Sequence, residues 1–296
     1  MKQILVNKSL TYSAKVGGGI ITGVKELNLL DTGAIAFDKD SEFNSYLTST
    51  NLYIIGSAND SPEPGLLMKF DLIGNLVWSR KLTGSAITRY SGVTVLNDNI
   101  YVTGLTQISG TNYGIIVKYD SNGNVVWQKS FGSTGNIYSI RAFANELYAI
   151  GFTASTRNVV NLIKLNTDGT VLWNNVLDCT TQASGIVPGL SDAKNAFAIE
   201  NNRIKFVVTN TATPLKWFMF VLPIDGSIPG TGTYVNAGQT FTYATQSMST
   251  SNTSLTSADR SVTITSPTYT ATNIISRITG TVTVPASTYT FNKTYI

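Results

Sequence analysis

The chain contains no histidine and a single cysteine, Cys179, among its 296 residues. Without histidine there is no Ser–His or Cys–His pair to activate a nucleophile, and the commonest zinc ligand is missing. A lone cysteine forms no intrachain disulfide, and its ordinary role is that of a small buried apolar group. Charge is scarce as well. Charged residues make up 13% of the chain, against about 25% in an average globular domain. The 21 basic and 17 acidic residues give a net charge of +4 and are scattered. Nucleic-acid binding needs clustered Lys and Arg, so no such partner is expected. No stretch approaches the roughly 20 apolar residues that span a bilayer, so no membrane partner is expected. The apolar run Ile4-Leu5-Val6 is too short for the core of a secretory leader.

What the chain does contain is a phrase written three times. Lys69-Phe-Asp71-Leu-Ile-Gly74-Asn-Leu-Val-Trp78 is the first, and Lys118-Tyr-Asp120-Ser-Asn-Gly123-Asn-Val-Val-Trp127 the second. Lys164-Leu-Asn166-Thr-Asp-Gly169-Thr-Val-Leu-Trp173 is the third. The tryptophans lie 49 and 46 residues apart. A run ending in glycine precedes each phrase: Asn51–Gly56, Asn99–Gly104 and Glu146–Gly151. Two marks at one period belong to one repeated unit.

Each unit reads as four short strands. In the second, Gly92–Leu96, Ile100–Leu105, Gly114–Tyr119 and Val125–Phe131 alternate β-branched and aromatic residues between Asn/Asp/Gly clusters. The Asp-x-x-Gly step is turn chemistry: the carboxylate bonds local amides and glycine supplies positive φ. Four strands in about 45 residues match one blade of a β-propeller. Blades are expected at about 42–88, 89–136, 137–182 and 192–236, the last without a closing tryptophan. The expected fold is therefore all-β, a small propeller of about four blades. It divides into a segment 1–41 that is an attachment segment or partial blade, a propeller 42–236, and a Ser/Thr-rich β region 237–296. Within the last, 245–258 reads as a low-complexity linker or loop. Residues 1–41 hold Gly17-Gly18-Gly19, then Ile20-Ile-Thr-Gly23, then Leu29-Leu-Asp-Thr-Gly33-Ala-Ile-Ala-Phe37, and read as a weak extra hairpin or a separate small attachment domain.

Candidate chemistry is sparse. Trp78, Trp127 and Trp173 are set between a sugar-stacking platform and a ring packed between blades. Their fixed place after each turn favours packing, since repeated positions serve the repeat's own core. Lys69, Lys118 and Lys164 are expected on strand faces, paired with the turn acids, rather than ringing a channel to bind an anion. The turns at Asp120 and Asn166 lack the late bidentate Glu of a calcium loop. Gly17-Gly18-Gly19 lacks the Lys-Ser/Thr of a phosphate cradle. Asp60 and Glu63 share a Pro-bearing loop but do not form a paired-carboxylate site. No cofactor, metal or enzymatic activity is expected. The residues singled out are structural: Asp71, Gly74, Trp78, Asp120, Gly123, Trp127, Asn166, Gly169 and Trp173.

The phrase resembles the repeats of bacterial β-propellers grouped with quinoprotein-like repeats, where Asp-x-x-Gly-x-x-x-Trp ends each blade. The strand pair Val117–Lys129 and the Ser/Thr tract at 245–258 are similar to those of structural proteins of tailed bacteriophages of cyanophage type. That resemblance implies a virion part, such as a decoration, fibre or tail accessory protein, assembled in the host cytoplasm. Its partners would be other virion proteins, with multiple copies on the particle and a host-surface glycan as a further candidate. The composition alone leaves three routes open: departure in a virus particle, signal-independent export, or residence in the cytoplasm. A surface carbohydrate-binding or adhesion module is the alternative reading, with Tyr53, Tyr101, Tyr113 and Tyr148 as its candidates.

Overall fold

The computed structural model describes residues 44–58, 62–132, 134–153, 159–178, 197–209, 217–228, 232–236 and 239–260, with Gly230 and four short strands nearer the ends. Cys179, Asp60 and most of the segment 1–41 lie outside the described residues. Among the described residues every regular element is a β-strand. Strands β1 (Lys15–Val16) and β2 (Gly19–Ile20) pair antiparallel, and β3 (Asn28–Leu30) follows.

Four antiparallel sheets then form a four-bladed β-propeller, as the repeat implies. Blade 1 is β4 (Asn44–Leu47), β5 (Asn51–Ser57), β6 (Gly65–Asp71) and β7 (Leu76–Thr83). Blade 2 is β8 (Thr88–Leu96), β9 (Asn99–Ile108), β10 (Thr111–Tyr119) and β11 (Val125–Phe131). Blade 3 is β12 (Thr134–Phe143), β13 (Glu146–Thr153), β14 (Val159–Leu165) and β15 (Val171–Asp178). Blade 4 has three described strands, β16 (Phe197–Glu200), β17 (Arg203–Thr209) and β18 (Trp217–Pro223). Five more strands follow: β19 (Thr233–Asn236), β20 (Gln239–Thr245), β21 (Thr250–Asn252), β22 (Thr256–Asp259) and β23 (Thr263–Thr265).

The hairpins follow from local chemistry. Asn97-Asp98, Ala144-Asn145 and Asn201-Asn202 take positive φ at both central positions. That is the two-residue turn whose twist matches the flanking strands. The recurring glycine of the second strand has a different cause. In β8 the register slips between Tyr90 and Gly92, so the strand bulges opposite Gly104. A Cβ on Gly104 would lie 1.9 Å from the Arg89 carbonyl oxygen. Strand β12 slips at the matching place, between Ile137 and Ser139, opposite Gly151.

Apolar side chains on both faces of the blades fill the spaces between them. Tyr53, Ile55, Leu67 and Leu82 of blade 1 meet Val93, Val102, Ile115 and Tyr119 of blade 2. Tyr101, Ile116 and Phe131 of blade 2 meet Ile137, Ile140, Ile163 and Leu165 of blade 3. Phe152, Leu162 and Leu177 of blade 3 meet Phe197, Ile204, Phe206 and Leu222 of blade 4. Each such side chain contributes roughly 1.5–3 kcal/mol when fully buried.

The chain after blade 4 departs from the division expected from composition. It turns back and lies along the outer edges of the blades in reverse order. Strand β20 pairs with β15 of blade 3, β21 with β11 of blade 2, and β22 with β7 of blade 1. Strand β23 then pairs with β3, ahead of blade 1. The expected linker at 245–258 is thus part of a belt of added strands, and residues 239–259 complete the blades rather than form a region of their own. By contacts the chain divides into Leu27–Thr265 and a second unit of Met1–Glu26 with Ser266–Ile296.

Candidate functional site

The repeated phrase builds a latch between consecutive blades. In each of the first three blades a Tyr, a Lys and a Trp stand side by side on neighbouring strands. The rows are Tyr53–Lys69–Trp78, Tyr101–Lys118–Trp127 and Tyr148–Lys164–Trp173. The ammonium lies 5.4–5.8 Å from the centre of the Tyr ring, within cation–π range.

The Lys and Trp of the first two rows donate to the glycine turn of the next blade. Trp78 Nε1 and Lys69 Nζ both donate to the Ser121 carbonyl at 3.2 Å. Trp127 Nε1 and Lys118 Nζ donate to the Thr167 carbonyl at 3.1 and 3.3 Å. Two residues past the tryptophan comes a further donor. Arg80 bonds the carbonyls of Gly123 and Asn122, Lys129 those of Asp168 and Gly169, and Asn175 that of Gly226. The turn glycine serves twice. Gly123, Gly169 and Gly226 all take φ +80°, and a Cβ there would sit 2.8–3.2 Å from the preceding blade's tryptophan ring.

The turn acids do not pair with the lysines, as the sequence reading had them. Asp71 Oδ1 accepts from the amides of Ile73 and Asn75, at 3.0 and 2.7 Å, and Asp120 Oδ1 from those of Asn122 and Asn124, at 2.9 and 2.8 Å. Asn166 accepts the equivalent pair without a charge. Hydrogen bonds from Asn75 and its neighbours hold the Asp71 carboxyl below its ordinary pKa. At Asp120 burial works the other way, but bonds from Asn124, Asn122 and Gly123 win and the net shift is downward. Lys164, unlike the other two lysines, pairs with Glu146 at 2.7 Å.

The third junction is weaker. Blade 4's turn reads Pro223-Ile224-Asp225-Gly226, and the indole N–H of Trp173 finds no hydrogen-bond partner among the described residues. Blade 4 also lacks the row itself: Lys205 and Val221 occupy the places of Tyr and Lys.

The residue directly after each tryptophan does a separate job, for which no signal was read in the sequence. Ser79, Gln128 and Asn174 grip the belt. Their carbonyls accept the amides of Arg260, Thr253 and Gln246. Their side chains add bonds to the Arg260, Leu255 and Gln246 carbonyls. The gripped residues are spaced by seven, and so are the belt's apolar anchors. Phe241 packs between blades 3 and 4, Met248 between 2 and 3, and Leu255 between 1 and 2. Each anchor is flanked by hydroxyls: Thr240-Phe241-Thr242, Ser247-Met248-Ser249 and Ser254-Leu255-Thr256. That seven-residue pattern was the signal available in the tract.

Of the tyrosines considered for sugar binding, Tyr53, Tyr101 and Tyr148 are buried in the core. Burial pushes the Tyr101 phenol up to about 12. Tyr113 is half-buried near the start of β10. Glu63 holds Arg89 through two bonds of 2.7 and 2.9 Å. No cluster of three or more His, Cys, Asp or Glu side chains able to hold a metal occurs among the described residues.

One surface is conspicuously unfinished. Leu67, Ile116 and Leu162 sit on the side of blades 1, 2 and 3 that meets the following blade, and each is at most 1% exposed. On blade 4 the corresponding Met219 is 70% exposed, and Val221 beside it 46%. No protein-family model and no curated protein matches the chain.

Proposed function

We propose that this protein is a non-enzymatic structural component of a phage particle, a decoration, fibre or tail accessory protein that displays a propeller. The observation that carries this reading is the open side of blade 4. A sheet face built like the three buried ones, but left with Met219 and Val221 exposed, is suited to docking on another protein. Val207 lies beside Met219 in the ladder, and Lys205 and Glu200 form an ion pair on the same sheet. An apolar centre with a charged rim is the usual anatomy of a protein interface. The proposed occupant is a neighbouring virion protein, with many copies of this chain on the particle.

Two measurements test the reading. Mass spectrometry of purified particles from the source is expected to find the chain. A Met219→Asp, Val221→Asp variant is expected to fold with an unchanged circular dichroism spectrum and yet be lost from particles. Particles that lack the wild-type chain would refute the virion role. Full incorporation of the variant would refute docking through blade 4.

A further inference from the structure

Blade 4 keeps the turn that leads to a fourth strand, but the strand that follows it lies elsewhere. In blades 1, 2 and 3 the glycine turn runs straight into β7, β11 or β15, which pairs along the outer edge of the third strand. In blade 4 Gly226 takes φ +80°, as Gly123 and Gly169 do. The next strand, β19, pairs with β20, and β20 lies on the outer edge of blade 3. Among the described residues β18 is thus the last strand of its sheet, in the order β16-β17-β18.

Exposure points the same way. Met219 on β18 is 70% exposed, more than Val77, Val126 or Leu172 on the fourth strands, at 52%, 54% and 48%. The edge is also left unblunted. Sheets protect an open edge with charge, proline or a bulge. Residues 217–222 read Trp-Phe-Met-Phe-Val-Leu, with no charge and no proline. They pair with β17 without a slip in register. The outer edges of the other blades carry belt strands: β22 on β7, β21 on β11 and β20 on β15.

We infer, resting on the virion reading above, that a neighbouring virion protein supplies the missing strand. An extended segment of that protein pairs with the outer edge of β18 and completes blade 4, as β7 completes blade 1. The places it fills define its chemistry. Val221 and Met219 stand where Lys69 and Leu67 stand in blade 1, opposite Trp78 and Arg80 of β7. Blade 1 uses those two places for the latch: a ring beside a lysine, and a cation that reaches the next turn. Blade 4 has valine in the lysine's place, so the incoming residues opposite Val221 and Met219 are uncharged and apolar, two positions apart. Seven residues span the edge, the length of both β18 and β11.

Hydrogen exchange of the full chain, read amide by amide in the free protein and in purified particles, tests this. In an antiparallel pair alternate residues send their N–H to the partner strand, and the others send it outward. Free β18 is expected to show that alternation, with fast exchange at the outward amides. In particles the outward amides are expected to slow by roughly tenfold or more, so that the alternation disappears. Alternation that persists in particles would overturn the inference and leave a neighbour resting on the face of blade 4 alone. Slow exchange at every β18 amide of the free chain would overturn it as well, because the edge would already be filled. Particles without the chain would overturn it together with the virion reading.

Discussion

Trp78 donates its indole N–H to the carbonyl of Ser121 in the next blade, 43 residues away, and Lys69 donates to the same oxygen. In the first two blades such a shared acceptor ties tryptophan, lysine and the next turn together. The latch needs a ring and two donors on one blade, and a turn with its carbonyls facing out on the next. The predictions follow from that geometry.

Trp127→Phe keeps a smaller ring and removes the five-membered half of the indole with the N–H bonded to Thr167. A loss of roughly 1–3 kcal/mol is expected, about 1 for the hydrogen bond and the rest for the void left by the missing ring atoms. Trp127→Ala also removes the ring that packs in the cluster between blades 2 and 3, and roughly 3–5 kcal/mol is expected. Urea unfolding of the two variants distinguishes these losses. Equal losses would mean that the ring contributes nothing.

Gly169 and Gly110 share almost the same φ, +80° and +81°. A Cβ on Gly169 would meet the Trp127 ring at 3.0 Å, whereas nothing lies within 4 Å of one on Gly110. Gly110→Ala is expected to cost about 1–2 kcal/mol, the strain of a left-handed alanine. Gly169→Ala is expected to cost more, and the difference in Tm measures the crowding at the ring.

Acid is expected to loosen the turns. The Asp71 and Asp120 carboxyls have native pKa values below their ordinary range. A depressed native pKa gives stability that is present above the unfolded value, about 3.9, and lost as pH falls through the native value. Tm is therefore expected to drop below about pH 4 and to stay level between pH 6 and 8, where no histidine titrates. An Asp71→Asn, Asp120→Asn variant should show a shallower acid limb, since Asn166 already holds the same turn without charge. An unchanged limb would place the acid sensitivity elsewhere.

A chain ending before Gln239 would lose β20, β21 and β22 and expose the edges of β15, β11 and β7. Open edges recruit other strands. Light scattering is expected to show concentration-dependent association of this truncated chain and none of the full chain. A monodisperse truncated chain would mean that the belt is not what blunts the edges.

The blades were legible in the sequence because their signals are local. Asp120 and Gly123 write a turn, and Gly114–Tyr119 alternates as a strand must. The latch was half legible: Trp127 was placed as a packing ring, but its acceptor, the Thr167 carbonyl, is backbone and carries no residue signature. The belt was misjudged as a linker. Its strands are held by main-chain pairing and one apolar anchor in seven, such as Leu255, and that is too sparse for any test of strand alternation. The open side of blade 4 was legible only as a missing tryptophan. Met219 and Val221 look like core residues until the neighbour that would cover them is sought.

The reverse course of the belt has a consequence for the order of synthesis. Blades 1, 2 and 3 leave the ribosome one after another, each with an unpaired outer strand, and the segment that protects them is made after all three. Protection then arrives backwards, with the newest full blade clasped first and the oldest last. A growing chain therefore carries sticky edges for most of its translation, and blade 1 carries its edge longest.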